Sequence, residues 1–200
     1  MNDKFFDLKK DKQDKMINGA MEVFARKGYK LASTDDMVKV AGVSKGLWFH
    51  YFGNKAGLYT FVADYGVKYL NMELAVNLMS KPNDYFDILY KVEETKTQVA
   101  MLYPFIPLMI QSMEDEDDEE IKEIALQKIR PFTDKVSEAF ENFSEDSLAD
   151  GVSKDILDMT VRYTLKGIRE KAYSEDVFDK EKYLKEVKTY FSMMKKLAIK

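Results

Sequence analysis

Residues 33–52, "STDDMVKVAGVSKGLWFHYF", hold two short helical patterns on either side of one glycine, and this spacing constrains the fold more than any other feature. Ser33 or Thr34 stands where a helix cap belongs, and Asp36 follows three residues after Ser33, as in a capping box. Met37, Val40 and Ala41 then repeat at i, i+3 and i+4, the period of one helix face. Gly42 ends that pattern and supplies the positive φ of a tight turn. Ser44 caps a further short helix to about Tyr51, on which Trp48 and Phe52 share a face, with Val43 plugging the angle between the helices. Helix, glycine turn, helix is the helix-turn-helix pattern.

A helix before it fits the same unit. From about Lys12 to Lys27, Ile17, Ala20, Met21 and Phe24 fall on one face, and Gly28 ends the run. Strand signals are scarce throughout. Beyond Asn54 the helical segments lengthen, and helices are expected near 55–79, 83–102, 105–116, 119–143, 153–173 and 179–198. Pro82, Pro104 and Pro107 mark breaks, and Pro131 is expected to kink or interrupt its helix. The fold class is therefore all-α: an N-terminal three-helix domain (1–54) followed by a helical domain (55–200).

The charge is unevenly spread. Residues 1–60 carry 11 Lys/Arg against 7 Asp/Glu, whereas residues 61–200 carry 20 against 28. A basic head on an acidic body fits a module that binds a polyanion. Chemistry is restricted by composition: there is no cysteine and only one histidine, so thiolate sites, disulfides and His-rich metal sites are excluded. No enzyme activity and no cofactor are expected. The acidic run "EDEDDEE" (114–120) reads as a solvated corner; a metal site would want spaced ligands and a turn glycine. No apolar run reaches the length of about 18 residues a membrane span needs, and the N-terminus lacks a secretory apolar stretch, so a cytoplasmic protein is expected.

The aromatic cluster divides into two faces. Trp48 and Phe52 read as core, packed toward Phe24, Met37 and Ala41. Lys45, Phe49 and Tyr51 cannot all be buried with them. A face with Lys45 at its N-terminal end, Gly46 permitting close approach, and His50, Tyr51 and Lys55 at its far end can enter a major groove and hold phosphates on either side. The helix start after Asn54 adds backbone N–H groups and a positive dipole end beside Lys55.

Residues 19–59 resemble the DNA-binding head of the tetracycline-repressor (TetR) family of bacterial transcription regulators. The resemblance is carried by Ala20, Phe24, Gly28 and Tyr29 on the first helix, by "AGVSKG" (41–46), and by Tyr51, Phe52, Asn54, Lys55 and Leu58. It implies a homodimeric regulator, released from a palindromic operator when a ligand binds the C-terminal domain. It also implies base or nearby phosphate contact for Lys45, and phosphate contact for Thr34, His50, Tyr51 and Lys55. Three features depart from the family. Leu47 and Phe49 replace residues that often bear hydroxyls; Leu47 either touches a thymine methyl or packs. Asp35 stands where some relatives carry a basic residue and would weaken binding if it faced phosphate. Ala56-Gly57 replaces acids, which predicts a pliable joint with poorly protected amides at 56–60.

The remaining 140 residues match the family only in general plan. Their tyrosines and methionines suit a pocket for a flexible, largely apolar small molecule, with Tyr65, Tyr69, Met109 and Tyr163 as candidate walls and Gln98, Gln111 and Arg162 as candidate polar contacts. The segment 156–168, with Gly167 allowing close helix approach, and the stripe Leu184, Val187, Phe191 and Met194 are expected to build a four-helix dimer interface. Two other readings share these features: a DNA-binding protein of this fold without an effector, and a helical ligand-binding protein or enzyme whose head is vestigial.

Overall fold

The structure is a computed structural model describing residues 3–82, 84–175 and 177–200. Among them are nine α-helices and no strand, only an isolated antiparallel bridge between Leu148 and Ile199. The helices are α1 (Lys10–Leu31), α2 (Thr34–Ala41), α3 (Lys45–Phe52), α4 (Lys55–Asn77), α5 (Tyr85–Val99), α6 (Ile106–Glu114), α7 (Lys122–Ala139), α8 (Lys154–Ser174) and α9 (Lys180–Ala198). None of the described helices is long and apolar enough to cross a membrane.

The chain divides into two compact units. The first comprises the chain up to Glu73 with Gln98–Asp134; the second comprises Leu74–Thr97 with Lys135–Lys200. In the first, α1 packs on α2 and α6, and α2 on α3. Its core includes Met16, Ile17, Met21, Phe24, Met37, Trp48, Tyr59 and Ile106. Gly28 breaks α1 as expected, with φ 67° and ψ 172°. Ser33 caps α2 by accepting the Asp36 N–H at 3.1 Å, while its hydroxyl donates to Asp36 Oδ2 at 2.6 Å. That hydroxyl and the Lys27 ammonium, 2.9 Å away, lower the Asp36 carboxyl below its ordinary value. Ser44 holds the cap position of α3 but makes no side-chain cap bond.

The acidic run is not wholly solvated. Glu116 accepts the Tyr29 N–H at 3.2 Å and Glu120 accepts the Tyr29 hydroxyl at 2.8 Å, so two of the acids tie the α6–α7 turn to the end of α1. Pro131 lies on an exposed face of α7, which continues through it. The residue at which α5 was expected to begin, Asn83, lies outside the described residues; Asp84 Oδ1 accepts the Phe86 and Asp87 N–H groups at 3.0 and 3.2 Å.

In the second unit α8 packs on α9. Leu184 lies against this unit's core, and Val187, Phe191 and Met194 belong to it, with Tyr85, Phe86, Leu157, Val161 and Leu165. The stripe expected at a dimer interface is thus spent inside the subunit. The apolar residues left outside lie on another face: Ile156, Met159 and Tyr163 on α8, and Tyr190, Met193 and Leu197 on α9. A buried charge cluster braces the same unit. Glu93 accepts Arg169 at 3.0 Å through both oxygens, Lys96 at 2.8 Å and the Tyr183 hydroxyl at 2.5 Å. Burial alone would raise the Glu93 carboxyl, but Arg169, Lys96 and the hydrogen bonds override it and hold it at about 2.

Candidate nucleic-acid interface

The turn that sets α3 against α2 is Gly42, at φ 64° and ψ 32°, whose N–H bonds the Val38 carbonyl at 2.9 Å. A side chain there would be strained in the left-handed region. From this turn α3 emerges with Trp48 and Phe52 buried, and with Lys45, Gly46, Phe49 and His50 facing outward. Nothing lies within 4 Å of where a Cβ of Gly46 would stand, so the start of α3 is open to close approach.

Two residues expected on the outward face are elsewhere. Tyr51 is only 9% exposed, because its ring packs edge-on against Phe5 at 5.6 Å. Phe5, fully buried, also meets Phe52 at 5.1 Å and Phe61 at 5.2 Å. The N-terminal turn Asp3–Asp7 is thus a plug beneath α3, and Gln13 fixes it by donating to the Phe6 and Leu8 carbonyls at 3.1 and 2.7 Å. Sequence reasoning missed this anchor; an apolar pair, Phe5-Phe6, in a polar leader was its signal. Lys55 is half-buried: its ammonium donates to the Tyr29 carbonyl at 2.9 Å and the Ala32 carbonyl at 3.5 Å, and lies 4.1 Å from the Tyr29 ring centroid. Lys55 therefore neutralises carbonyls at the α1–α2 junction.

Of the other candidates, Thr34 is half-buried at the start of α2 and Leu47 is half-buried on α3. Asp35, in the first turn of α2, accepts Lys45 Nζ at 2.8 Å, with both side chains at least half exposed. This pairing across the two helices was not foreseen.

The joint between α3 and α4 is tight. Gly53, at φ 75° and ψ −61°, is the centre of a γ-turn closed by the Asn54 N–H on the Phe52 carbonyl at 2.9 Å. Asn54 Oδ1 then caps α4 through the Gly57 N–H at 2.7 Å, so one of the N–H groups expected to be available is used internally. A Cβ on Gly57 would stand 2.3 Å from the Phe52 carbonyl oxygen. The absence of a side chain at Gly57 lets the turn and the helix start approach this closely.

The ligand candidates are dispersed. In the first unit Tyr65 shares a hydrogen bond with the buried Tyr103 hydroxyl at 2.5 Å, and the Tyr69 ring stands edge-on to Tyr103 at 5.1 Å. Lys10 donates to that hydroxyl at 2.9 Å, which itself bonds Asp14 at 3.1 Å, so Tyr65 joins a polar network on α1. Lys10 is raised above its ordinary value: burial opposes this, but the bonds to Asp14 and Tyr103 prevail. Met109 and Gln111 are buried in α6 but, two apart on a helix, point to different sides. Gln98 is exposed at the end of α5; Arg162 and Tyr163 are exposed on α8 in the second unit.

Comparison with known proteins places this geometry. Residues 16–60 match the family model of bacterial regulatory proteins, tetR family. The biofilm operon icaADBC HTH-type negative transcriptional regulator IcaR of Staphylococcus aureus is 30% identical over 79 residues, 40% of this chain and 42% of that protein. An uncharacterized HTH-type transcriptional regulator of Bacillus subtilis, YvdT, is 38% identical over 53 residues, 26% of this chain and 27% of that one. The match therefore spans less than half the length of these curated relatives. The fold extends further: the TetR-family regulator PfmR of Thermus thermophilus superposes with a TM-score of 0.60 at 17% identity, over 91% of this chain and 97% of its own. A TetR-family regulator of Chloroflexus aurantiacus gives 0.61 at 15% identity, over 100% and 98%. These relatives are transcription regulators rather than enzymes. Residues 16–60 thus carry the DNA-binding head described by the tetR family model, and over the whole chain the fold is the one these regulators share.

Proposed function

We propose that this is a cytoplasmic transcriptional repressor that binds a palindromic operator as a homodimer through a head at 1–54 and is released by a small, largely apolar effector in a body at 55–200. The observation that carries the reading is the outward start of α3, with Lys45, Gly46, Phe49 and His50 exposed within a region that matches the family model. N-terminal residues of such a helix reach base edges in the major groove. Thr34 and His50 are positioned for phosphate, while Lys55 and Tyr51 act chiefly by shaping the head. Negative regulation is supported by the name of the staphylococcal relative.

The homodimer reading rests on the exposed apolar faces of α8 and α9. Tyr163 is 65% exposed and Leu197 70%, and they share their faces with Ile156, Met159, Tyr190 and Met193. A two-fold pairing of these helices covers both faces with a second copy of themselves. Effector release requires that the ligand prefer the conformation that does not fit the operator.

The test is selection of bound duplexes from a random DNA pool at near-physiological salt. Enrichment of a palindrome with half-sites about one helical turn apart is the expected result. Recovery of no sequence preference would refute operator binding.

A further inference from the structure

The Asp35–Lys45 pair has a use beyond its own stability. An exposed ion pair contributes little to a fold. Yet this one joins the first turn of α2 to the first residue of α3, the end of the recognition helix that enters the groove. It stands beside Gly46, where no side chain obstructs approach.

The chemistry of the pair is ordered. The Lys45 ammonium has three N–H donors, and Asp35 Oδ1 takes one at 2.8 Å. Two donors remain on the lysine and an acceptor oxygen remains on the aspartate. Across the pair, the protein offers donor, donor, acceptor. In the major groove a G·C pair presents N7 and O6 acceptors on guanine, then the N4 amino donor on cytosine. The two patterns are complementary in one orientation only. An A·T pair sets its donor between two acceptors, so the carboxylate would face the thymine O4. A reversed pair would set the carboxylate against guanine N7 and a lysine N–H against the cytosine amino group. Both are rejected by repulsion as well as by lost bonds. The carboxylate has no favourable place on the phosphate backbone.

We infer that Asp35 and Lys45 together read one G·C base pair in each half-site, guanine on the Lys45 side and cytosine on the Asp35 side. This rests on the operator-binding reading above. Asp35 is then a specificity residue, and its negative charge selects against wrong bases instead of merely weakening contact with DNA.

The experiment is the duplex selection with the wild-type protein and with Asp35→Ala and Lys45→Ala. Binding is then titrated by fluorescence anisotropy, at one salt concentration, on the enriched palindrome and on versions with each base pair replaced symmetrically. Circular dichroism shows whether the variants keep the helical fold, as substitution of two exposed side chains should allow. In the wild type, one G·C pair per half-site is preferred about 10- to 100-fold over the alternatives. Both variants should lose that preference at the same position and keep it elsewhere. If Asp35→Ala keeps the base preference at every position and only tightens binding uniformly, Asp35 is a brake and the inference is overturned while operator binding stands. If the wild type enriches no sequence, operator binding falls and the inference falls with it.

Discussion

Gly57→Ala sets two effects against each other. Alanine in the first turn of α4 should gain about 1 kcal/mol of helix propensity over glycine. The added Cβ, however, would lie 2.3 Å from the Phe52 carbonyl oxygen and 3.3 Å from Asn54 Oδ1, where real contacts essentially never fall under 3.0 Å. The obstacle is backbone, not the end of a flexible side chain. The Phe52 carbonyl is itself the acceptor that closes the Gly53 γ-turn. Relief therefore means opening the turn or tilting the first turn of α4 away from its Asn54 cap. Such overpacking costs about 1–3 kcal/mol, and loss of the Asn54 cap adds about 1 kcal/mol. The clash wins by about 1–3 kcal/mol. For a chain of this size that lowers the melting temperature by about 2–12 °C. Thermal unfolding followed by circular dichroism at matched protein concentration measures it. An alanine variant that melts at or above the wild-type temperature would refute the close-approach account and restore the pliable-joint expectation.

Phe5→Ala should remove the plug beneath α3 and cost about 3 kcal/mol, read as a lower urea midpoint for the first unit. Lys55→Met keeps the stem but leaves the Tyr29 and Ala32 carbonyls without their cation; a loss of about 1–2 kcal/mol is expected by the same assay. Because Glu93 is held at about 2 in the folded protein, its contribution is complete above the ordinary glutamate value and drains away as pH falls from about 4.5 toward 2. Urea titrations across that range should show about 3 kcal/mol lost by the wild type and a shallower slope for Glu93→Gln. Met193→Asp puts a charge on the exposed face of α9 and, on the proposed homodimer, should raise the dissociation constant at least about tenfold in sedimentation experiments, with helicity retained.

What the sequence disclosed was local. The Ser33 cap, the left-handed Gly42 and the break at Gly28 each depend on residues within one turn of chain, and each reads directly from residue type. The buried pair Trp48 and Phe52 followed from helical spacing alone. What stayed hidden depends on contacts between distant residues. Phe5 reaches Tyr51 and Phe61, Tyr29 takes its acids from the α6–α7 turn, and Asp35 finds Lys45 across the glycine. Helix α9 shows the limit of periodicity most clearly. It carries two apolar faces, Val187-Phe191-Met194 and Tyr190-Met193-Leu197. Spacing reveals both, but only packing decides that the first is core. The close approach at Gly57 was hidden for a related reason: propensity describes an isolated helix, whereas this glycine also faces a carbonyl from the preceding turn.

The head's charge also means less than its sequence suggests. At least five of its cations are engaged by neighbouring carboxylates: Lys10 by Asp14, Lys15 by Asp11, Arg26 by Glu22, Lys27 by Asp36 and Lys45 by Asp35. Lys55 faces carbonyls. A protein gains salt-dependent affinity from each phosphate it neutralises. A cation already paired within the protein brings less of that gain, because contact with phosphate must replace an existing partner. The nonspecific share of binding should therefore be small for a chain with a basic head. Discrimination then falls to the few groups at the open start of α3, where an acid beside a lysine costs affinity on every sequence but least on the one it matches.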